Sequence, residues 1–273
     1  MPEGPEIRRA ADRLAAALAG QTAERLFFAF DRLKAFERLL SGREILSVSA
    51  RGKAMLTRFA GDYTLYSHNQ LYGRWTVCEE GPYPESSRQL RAAIHAGGRM
   101  ALLYSASAIE VLSAAELARH PYVSTLGPEL LDPEVTLAQV ISVLEQPEVR
   151  RRCLMGLLQD QRRLAGMGNY LCCEALFDAG IHPCTRPADL DRAALRRLAQ
   201  SCLRLTRQSY QSGGITNETG RAEMLRQQGV SFEGRRFLVY RRGGESCYRC
   251  GGAIVKGRFC GRMGYLCPHC QPR

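Results

Sequence analysis

No run of about 18 apolar residues in the chain is free of charge, which excludes a membrane-spanning helix. The opening residues, Met1 to Arg9, contain Glu3 and Glu6 and no apolar stretch of the secretory kind, so no signal peptide is expected. A glycine-every-third pattern, a sustained heptad and an internal repeat are all missing, which excludes a collagen-like fibre and a coiled coil. The polarity of a disordered tail is also missing: hydrophobic residues are 45% and charged residues 24%. What remains is an ordinary globular chain of 273 residues, long enough for one large domain or two to three small ones.

Acidic residues are in deficit. Thirty-eight Lys and Arg stand against 27 Asp and Glu, a net charge of +11. The surplus fits a polyanionic partner, or a basic surface kept for solubility. Its distribution favours the partner. Nine Lys and Arg against Glu233 and Glu245 fall in the last 41 residues, and Arg150, Arg151, Arg152, Arg162 and Arg163 form a second knot. Clustered charge of this kind is the footprint of phosphate binding.

Eleven cysteines are unevenly placed. Cys78, Cys153, Cys172, Cys173, Cys184 and Cys202 lie singly or in apolar helical patterns and read as buried reduced thiols. An odd count without a signal peptide points to a reducing compartment, not a disulfide framework. By contrast, Cys247 and Cys250 form one Cys-x-x-Cys hook and Cys267 and Cys270 a second, with residues 251–266 between them. Two such hooks at this spacing read as a closed four-thiolate zinc site on a β-hairpin, structural because no coordination position stays open. Cys260 and His269 lie inside this module and read as non-ligands. Arg249, Lys256, Arg258 and Arg262 surround it with positive charge.

Periodicity divides the rest. Ile7, Ala10, Ala11, Leu14, Ala15 and Leu18 share a helical face that Gly20 would end. Short runs at 44–49, 54–59, 63–68, 74–78, 99–104 and 108–112 read as strands of a sandwich or barrel. Ser113 and Glu116 form a capping-box pattern that returns the chain to helix. Helices are expected at 137–145, 151–161, 170–179 and 193–210, and a loop at 211–218. Gly166 and Gly168 make the segment before Asn169 a tight connector opening a helix, with N–H groups free for an anion.

At the N-terminus, Pro2 follows a methionine that is normally removed before so small a residue. Its secondary amine would then have an α-amino pKa of about 8 and could attack a sugar C1′ to form an iminium, with a neighbouring carboxylate handling protons. The residues alone also fit an ordinary Pro-rich first helical turn.

The segment Met1-Pro2-Glu3-Gly4-Pro5-Glu6, the connector before Tyr170 and the terminal four-cysteine finger occur together and in that order. Over essentially the whole chain this resembles the formamidopyrimidine-DNA glycosylase/endonuclease VIII family of bacterial DNA glycosylases with abasic-site lyase activity. Residues 66–73, from Tyr66 to Gly73, resemble the endonuclease VIII branch. The resemblance implies a multi-domain α+β fold: a β-sandwich catalytic domain with flanking helices at 1–125, a helix–two-turn–helix domain at 126–215, and a linker with a β-hairpin zinc finger at 216–273.

It also implies roles. Pro2 matches the Schiff-base nucleophile, Glu3 the proton-handling carboxylate and Glu6 a second acid near the site. Lys53 matches a lysine assigned to β-elimination, though by itself it reads as a solvated strand-end residue. Arg262 matches a finger arginine that grips phosphate and is linked to δ-elimination. Asn169 matches a DNA-contacting asparagine. Gln70, Leu71 and Tyr72 match the triad that fills the hole left by an extruded base; alone they read as a turn between strands. Thr125 and Cys172 stand where the branch commonly has arginines, which bears on binding strength and lesion range. The implied partner is damaged double-stranded DNA, the implied metal one structural zinc, and the implied setting a monomer in the bacterial cytoplasm, away from membranes. Excision of oxidised pyrimidines with β,δ-elimination follows from the branch. Oxidised purines, the sister activity, and a non-enzymatic zinc-ribbon DNA-binding protein are the alternatives.

Overall fold

Helix α1 (Gly4–Leu18) buries Ile7, Ala10, Ala11, Leu14 and Leu18 along one face. It starts where the Glu6 carboxylate accepts the Glu3 N–H at 3.0 Å, one half of a capping box that satisfies orphan donors of the first turn. It belongs to a computed structural model that describes residues 2–273. Met1, whose removal frees the Pro2 amine, lies outside the described residues. The chain divides into two compact units, Met1–Thr125 and Leu126–Arg273.

In the first unit β1 (Ala23–Phe28), α2 (Lys34–Leu40), β2 (Ile45–Arg51), β3 (Ala54–Phe59), β4 (Tyr63–His68), β5 (Arg74–Glu79), β6 (Leu90–Ala96), β7 (Arg99–Tyr104) and β8 (Ala108–Ser113) precede the short helix α3 (Ala114–Arg119). The strands form two four-stranded sheets, in the orders β1-β6-β7-β5 and β2-β3-β4-β8, antiparallel throughout. Phe28, Ile45, Met55, Phe59, Leu65 and Trp75 fill the core they share with α1. Strands β3 and β4 lose the alternation expected of half-buried strands because Leu117, Tyr122 and Val123 cover the outer face of Leu56 and Tyr66. The expected sandwich is therefore present. Sequence periodicity missed β1, β6 and α2, where Glu24, Arg25 and His95 interrupt the apolar pattern.

The second unit contains α4 (Leu137–Glu145), α5 (Leu154–Leu157), α6 (Asn169–Ala179), α7 (Arg192–Gln211), α8 (Thr219–Gln227), α9 (Phe232–Arg235) and a hairpin of β9 (Val255–Phe259) and β10 (Arg262–Leu266). One core joins Leu144, Leu157, Leu171, Phe177, Leu198 and Leu205 to Phe237, Cys247 and Cys267. Helix α6 is buried on nearly every side, so it lacks an amphipathic stripe.

Two expectations are corrected here. The helix expected at 151–161 shrinks to α5: the extended Cys153 is its N-cap, and after Leu158 N–H donates to Leu154 O the chain turns away, Asp160 N–H donating to Leu157 O. Cys153 is not a reduced thiol. It is bonded to Cys260 across 107 residues, a pairing that no local spacing signals. Cys172, Cys173 and Cys202 are buried and not disulfide-bonded, as expected, while Cys78 and Cys184 are half-buried.

Candidate active site and nucleic-acid surface

In the first unit a cavity of about 270 Å³ is lined by Pro2, Glu6, Arg13, Asn69, Leu71, Tyr72, Arg74 and Arg88, among others. Pro2, an acid and the β4–β5 loop thus meet in one place. Glu3 stands beside Pro2 as the N-cap of α1, only 2% exposed, where the helix dipole favours a carboxylate.

The loop is held by its backbone. Gly73 N–H donates to Asn69 O at 2.7 Å. A Cβ on Gly73 would sit 2.5 Å from that oxygen and 2.6 Å from Asn69 Cα, so no other residue fits. Gln70 takes the left-handed conformation (φ 51°); its N–H donates to His68 Nδ1 at 3.0 Å and its Oε1 accepts from Ser107 Oγ at 2.7 Å. Arg88 donates to Tyr72 O at 2.7 Å. With the backbone pinned, Leu71 and Tyr72 are held out at 58% and 70% exposure, unusual for large apolar side chains side by side. Asn69 is buried, and its Oδ1 has no hydrogen-bond partner among the described residues, an uncommon state for a buried acceptor.

Lys53 lies in the β2–β3 turn, 9% exposed, and its N–H donates to Tyr122 Oη at 2.8 Å. The register pairs Ala54 with His68, which puts Lys53 at the same sheet end as the Asn69 loop. Burial pushes the His68 imidazole below its usual pKa, and the Lys53 ammonium pushes it further. Lys53 is thus not the solvated strand-end lysine its sequence suggests. Thr125 ends a short 3-10 turn on the surface, its hydroxyl bonded to Pro121 O at 2.8 Å.

In the second unit Gly168 caps α6 and Asn169 is its first residue, half-buried. Gln161 braces the connector: it donates to Met167 O at 2.7 Å and accepts from Gly166 N–H at 3.0 Å. Cys172 faces the core, its Sγ 3.7 Å from Met155 O.

Glu174, fully buried in α6, was not found from the sequence. Its carboxylate accepts from the N–H groups of Leu238, Val239 and Tyr240 at 2.7 to 2.8 Å and from the Thr216 hydroxyl. Burial raises its pKa, against the pull of these donors. It clamps the segment leading into the finger. An acid amid apolar helix residues was the one available signal.

Arg262 opens β10 and is exposed; its Nη1 lies 3.4 Å from Gln159 Oε1. Cys247, Cys250, Cys267 and Cys270 place their four sulfurs within 4.8 Å of one another, with Cys247–Cys270 at 3.9 Å and Cys250–Cys267 at 3.4 Å. Arg249 N–H donates to Cys247 Sγ at 3.4 Å. Four thiolates this close repel one another unless a cation lies between them. The donor set fits a metal of the tetrahedral, thiolate-preferring kind. Asp178 ties this finger to α6: burial opposes its ionisation, yet bonds from Ser201, Arg204 and Arg249 hold its carboxyl below the usual range.

Residues 1–105 match the family model of the formamidopyrimidine-DNA glycosylase N-terminal domain, and residues 126–220 that of the formamidopyrimidine-DNA glycosylase H2TH domain. Endonuclease 8 of Pectobacterium carotovorum is 45% identical over 99% of this chain and 100% of that protein. Endonuclease 8 of Salmonella paratyphi A is 44% identical over the same shares. The chain belongs to the formamidopyrimidine-DNA glycosylase/endonuclease 8 family. Among solved structures, the formamidopyrimidine-DNA glycosylase of Lactococcus lactis, in complex with DNA containing N7-benzyl-Fapy-dG, superposes with a TM-score of 0.83 at 22% identity, each chain covered completely. The same enzyme with DNA containing an oxidised pyrimidine gives 0.82 at 21%, again with both chains covered. This likeness gives the fold: sandwich, helix–two-turn–helix region and four-cysteine hairpin. Membership makes the protein a DNA repair glycosylase of a family whose members are also abasic-site lyases. Among the described residues no helix is long and apolar enough to cross a membrane.

Proposed function

We propose that the protein excises oxidised pyrimidines from duplex DNA and then cuts the strand by β,δ-elimination, through an iminium between Pro2 and the deoxyribose. The observation that carries this reading is the shared cavity, in which Pro2 and Glu6 meet the loop that exposes Leu71 and Tyr72. Chemistry on a paired base requires extrusion. Leu71 and Tyr72 are apolar, exposed and rigidly held, suited to occupy the vacated stack. Gln70 offers both a donor and an acceptor to the orphaned base. Asn69 Oδ1, buried and without a partner among the described residues, is suited to accept a hydrogen bond from the extruded nucleotide.

With the base extruded, the Pro2 nitrogen attacks C1′. The base leaves, the sugar ring opens and Glu3 handles the ring-oxygen proton. Glu6 holds the Glu3 backbone and so positions it. The iminium is the electron sink for loss of the 3′ phosphate, assisted by Lys53, and then of the 5′ phosphate, assisted by Arg262. Asn169 binds the DNA backbone. Thr125 contributes no charge where the branch commonly has an arginine. The metal is zinc, held by Cys247, Cys250, Cys267 and Cys270; bound there it supplies folding free energy to the hairpin that carries Arg262. One chain, acting as a monomer in the cytoplasm, carries every residue named.

Borohydride reduction on a duplex with an abasic site tests this. The expected result is a covalent adduct that peptide mapping places on Pro2. An adduct on a lysine, or no adduct, overturns the mechanism. Single-turnover release of 8-oxoguanine faster than dihydrouracil would move the substrate to the oxidised purines.

A further inference from the structure

Three sulfurs outside the finger's metal cluster meet at the tip of its hairpin. The Sγ atoms of Cys153, Cys184 and Cys260 all lie within 4.8 Å of one another. Cys153 and Cys260 are bonded, their Cα atoms 6.5 Å apart, and Cys184 is free. The main chain brings Cys184 there. Leu154 N–H donates to Thr185 O at 2.9 Å and Met155 N–H to Pro183 O at 3.0 Å, and Cys153 Sγ lies 3.2 Å from Pro183 O.

Cys260 and Gly261 form the two-residue turn between β9 and β10, at φ 49° and 81°. Asparagine, aspartate and glycine suit that turn; cysteine has no conformational advantage in it. Cys260 is exposed, Arg258 donates to Gly261 O at 3.3 Å, and Arg262 follows. Such an electropositive, accessible position favours the thiolate.

We propose that this cluster is a peroxide-oxidised thiol site that latches the hairpin carrying Arg262. The Cys260 thiolate attacks hydrogen peroxide, giving a sulfenic acid and hydroxide. The Cys153 thiol then displaces the sulfenic oxygen as water and forms the disulfide. In sum two thiols are oxidised and one peroxide is reduced to two waters. The Cys184 thiolate reverses the latch without any further reagent: it attacks Cys153 Sγ, the Cys153–Cys184 bond forms, the Cys153–Cys260 bond breaks, and Cys260 leaves as thiolate.

Donor count separates this site from the metal site. The finger cluster offers four thiols, whereas here the described residues supply three and no carboxylate or imidazole joins the group, short of a tetrahedral set. His182 Nδ1 is already engaged by Cys184 N–H at 3.1 Å. The bonded state ties the turn just before Arg262 to the start of α5, beside Gln159. A latched hairpin presents Arg262 pre-organised for phosphate, which slows dissociation. That consequence rests on the DNA reading above; the thiol chemistry does not.

The test uses the zinc-loaded full chain, reduced and then given one equivalent of hydrogen peroxide. Non-reducing peptide mapping is expected to find Cys153–Cys260 with the zinc retained, accompanied by Cys153–Cys184 in the wild type and not in Cys184→Ser. On a duplex with a stable abasic analogue, the oxidised wild type is expected to dissociate several-fold more slowly than the reduced form. Cys260→Ser is expected to behave alike in both conditions. Absence of Cys153–Cys260 before zinc loss, or a second zinc on the reduced chain by native mass spectrometry, overturns the thiol site. A mapped disulfide with unchanged dissociation overturns the latch. A mapped disulfide with no duplex binding in either state overturns the DNA reading and leaves the thiol site standing.

Discussion

The sandwich unit and the helical unit hold their functional residues by different means. In the sandwich the Asn69–Gly73 loop has no covalent or ionic cross-link among the described residues. It is fixed by a glycine that nothing can replace, one left-handed residue, and hydrogen bonds from Gly73 and Arg88 to backbone carbonyls. In the helical unit the hairpin carrying Arg262 is short, two-stranded and poor in core, and a lone hairpin of that kind is marginal in water. It is cross-linked by a four-thiol cluster, a disulfide, and the Asp178 and Glu174 bonds to neighbouring segments. A loop backed by two packed sheets can rely on sterics, while a two-stranded hairpin that packs only Phe259, Tyr265 and a few neighbours on the helical core adds bonds.

The largest effect should come from breaking the strongest cross-link. Cys247→Ser is expected to lose zinc, the hairpin and DNA binding together, since apparent zinc free energies in such sites reach about 10 kcal/mol. Metal content and duplex binding measured on one sample check this; a metal-free variant that binds normally would remove the finger from the reading. Gly73→Ala attacks the other kind of support. Its Cβ must displace the Asn69 backbone, at a cost of about 1–3 kcal/mol, with zinc content unchanged. A melting temperature equal to wild type would contradict the steric account.

Lowering the pH provides a milder probe of the loop. His68 has a pKa depressed by burial and by Lys53. A base depressed on folding stabilises fully above its unfolded value of about 6.5, and that stability is lost as pH falls through the folded value. Protonation of Nδ1 would also remove the acceptor for Gln70 N–H. The loop is therefore expected to loosen in the acid range below about 6.5, followed by NMR of the His68 ring. In Lys53→Gln the transition should move upward, though only in part, because burial is the larger cause. A transition at or above the ordinary value would refute this.

Leu71→Ala should change stability least, within about 0.5 kcal/mol for so exposed a side chain. Under the proposed function, it should slow excision from duplex far more than cleavage of a single-stranded lesion, which leaves no hole to fill. Equal slowing of both would remove Leu71 from the wedge.

What was legible in the sequence follows from how far apart the cooperating residues are. The paired Cys-x-x-Cys hooks, the α1 face, the Ser113 capping box and the connector before Asn169 are each local, so spacing alone displayed them. The strands at 54–59 and 63–68 were legible although fully buried strands do not alternate, because glycine and aspartate mark their ends. The strands β1 and β6 were not, since charged and histidine side chains sit among their apolar ones and only the partner strand makes them extended.

The sequence by itself determined the family, the fold class and the chemistry available to Pro2, Glu3 and the four finger cysteines. Tertiary structure decided the rest. It buried Lys53 against Tyr122, left Asn69 Oδ1 without a partner among the described residues, placed Glu174 beneath three N–H groups more than 60 residues away, and joined Cys153 to Cys260. The reason is that burial and long-range pairing belong to the packed chain: a residue's spacing fixes which face it shares, and only the fold fixes what that face meets.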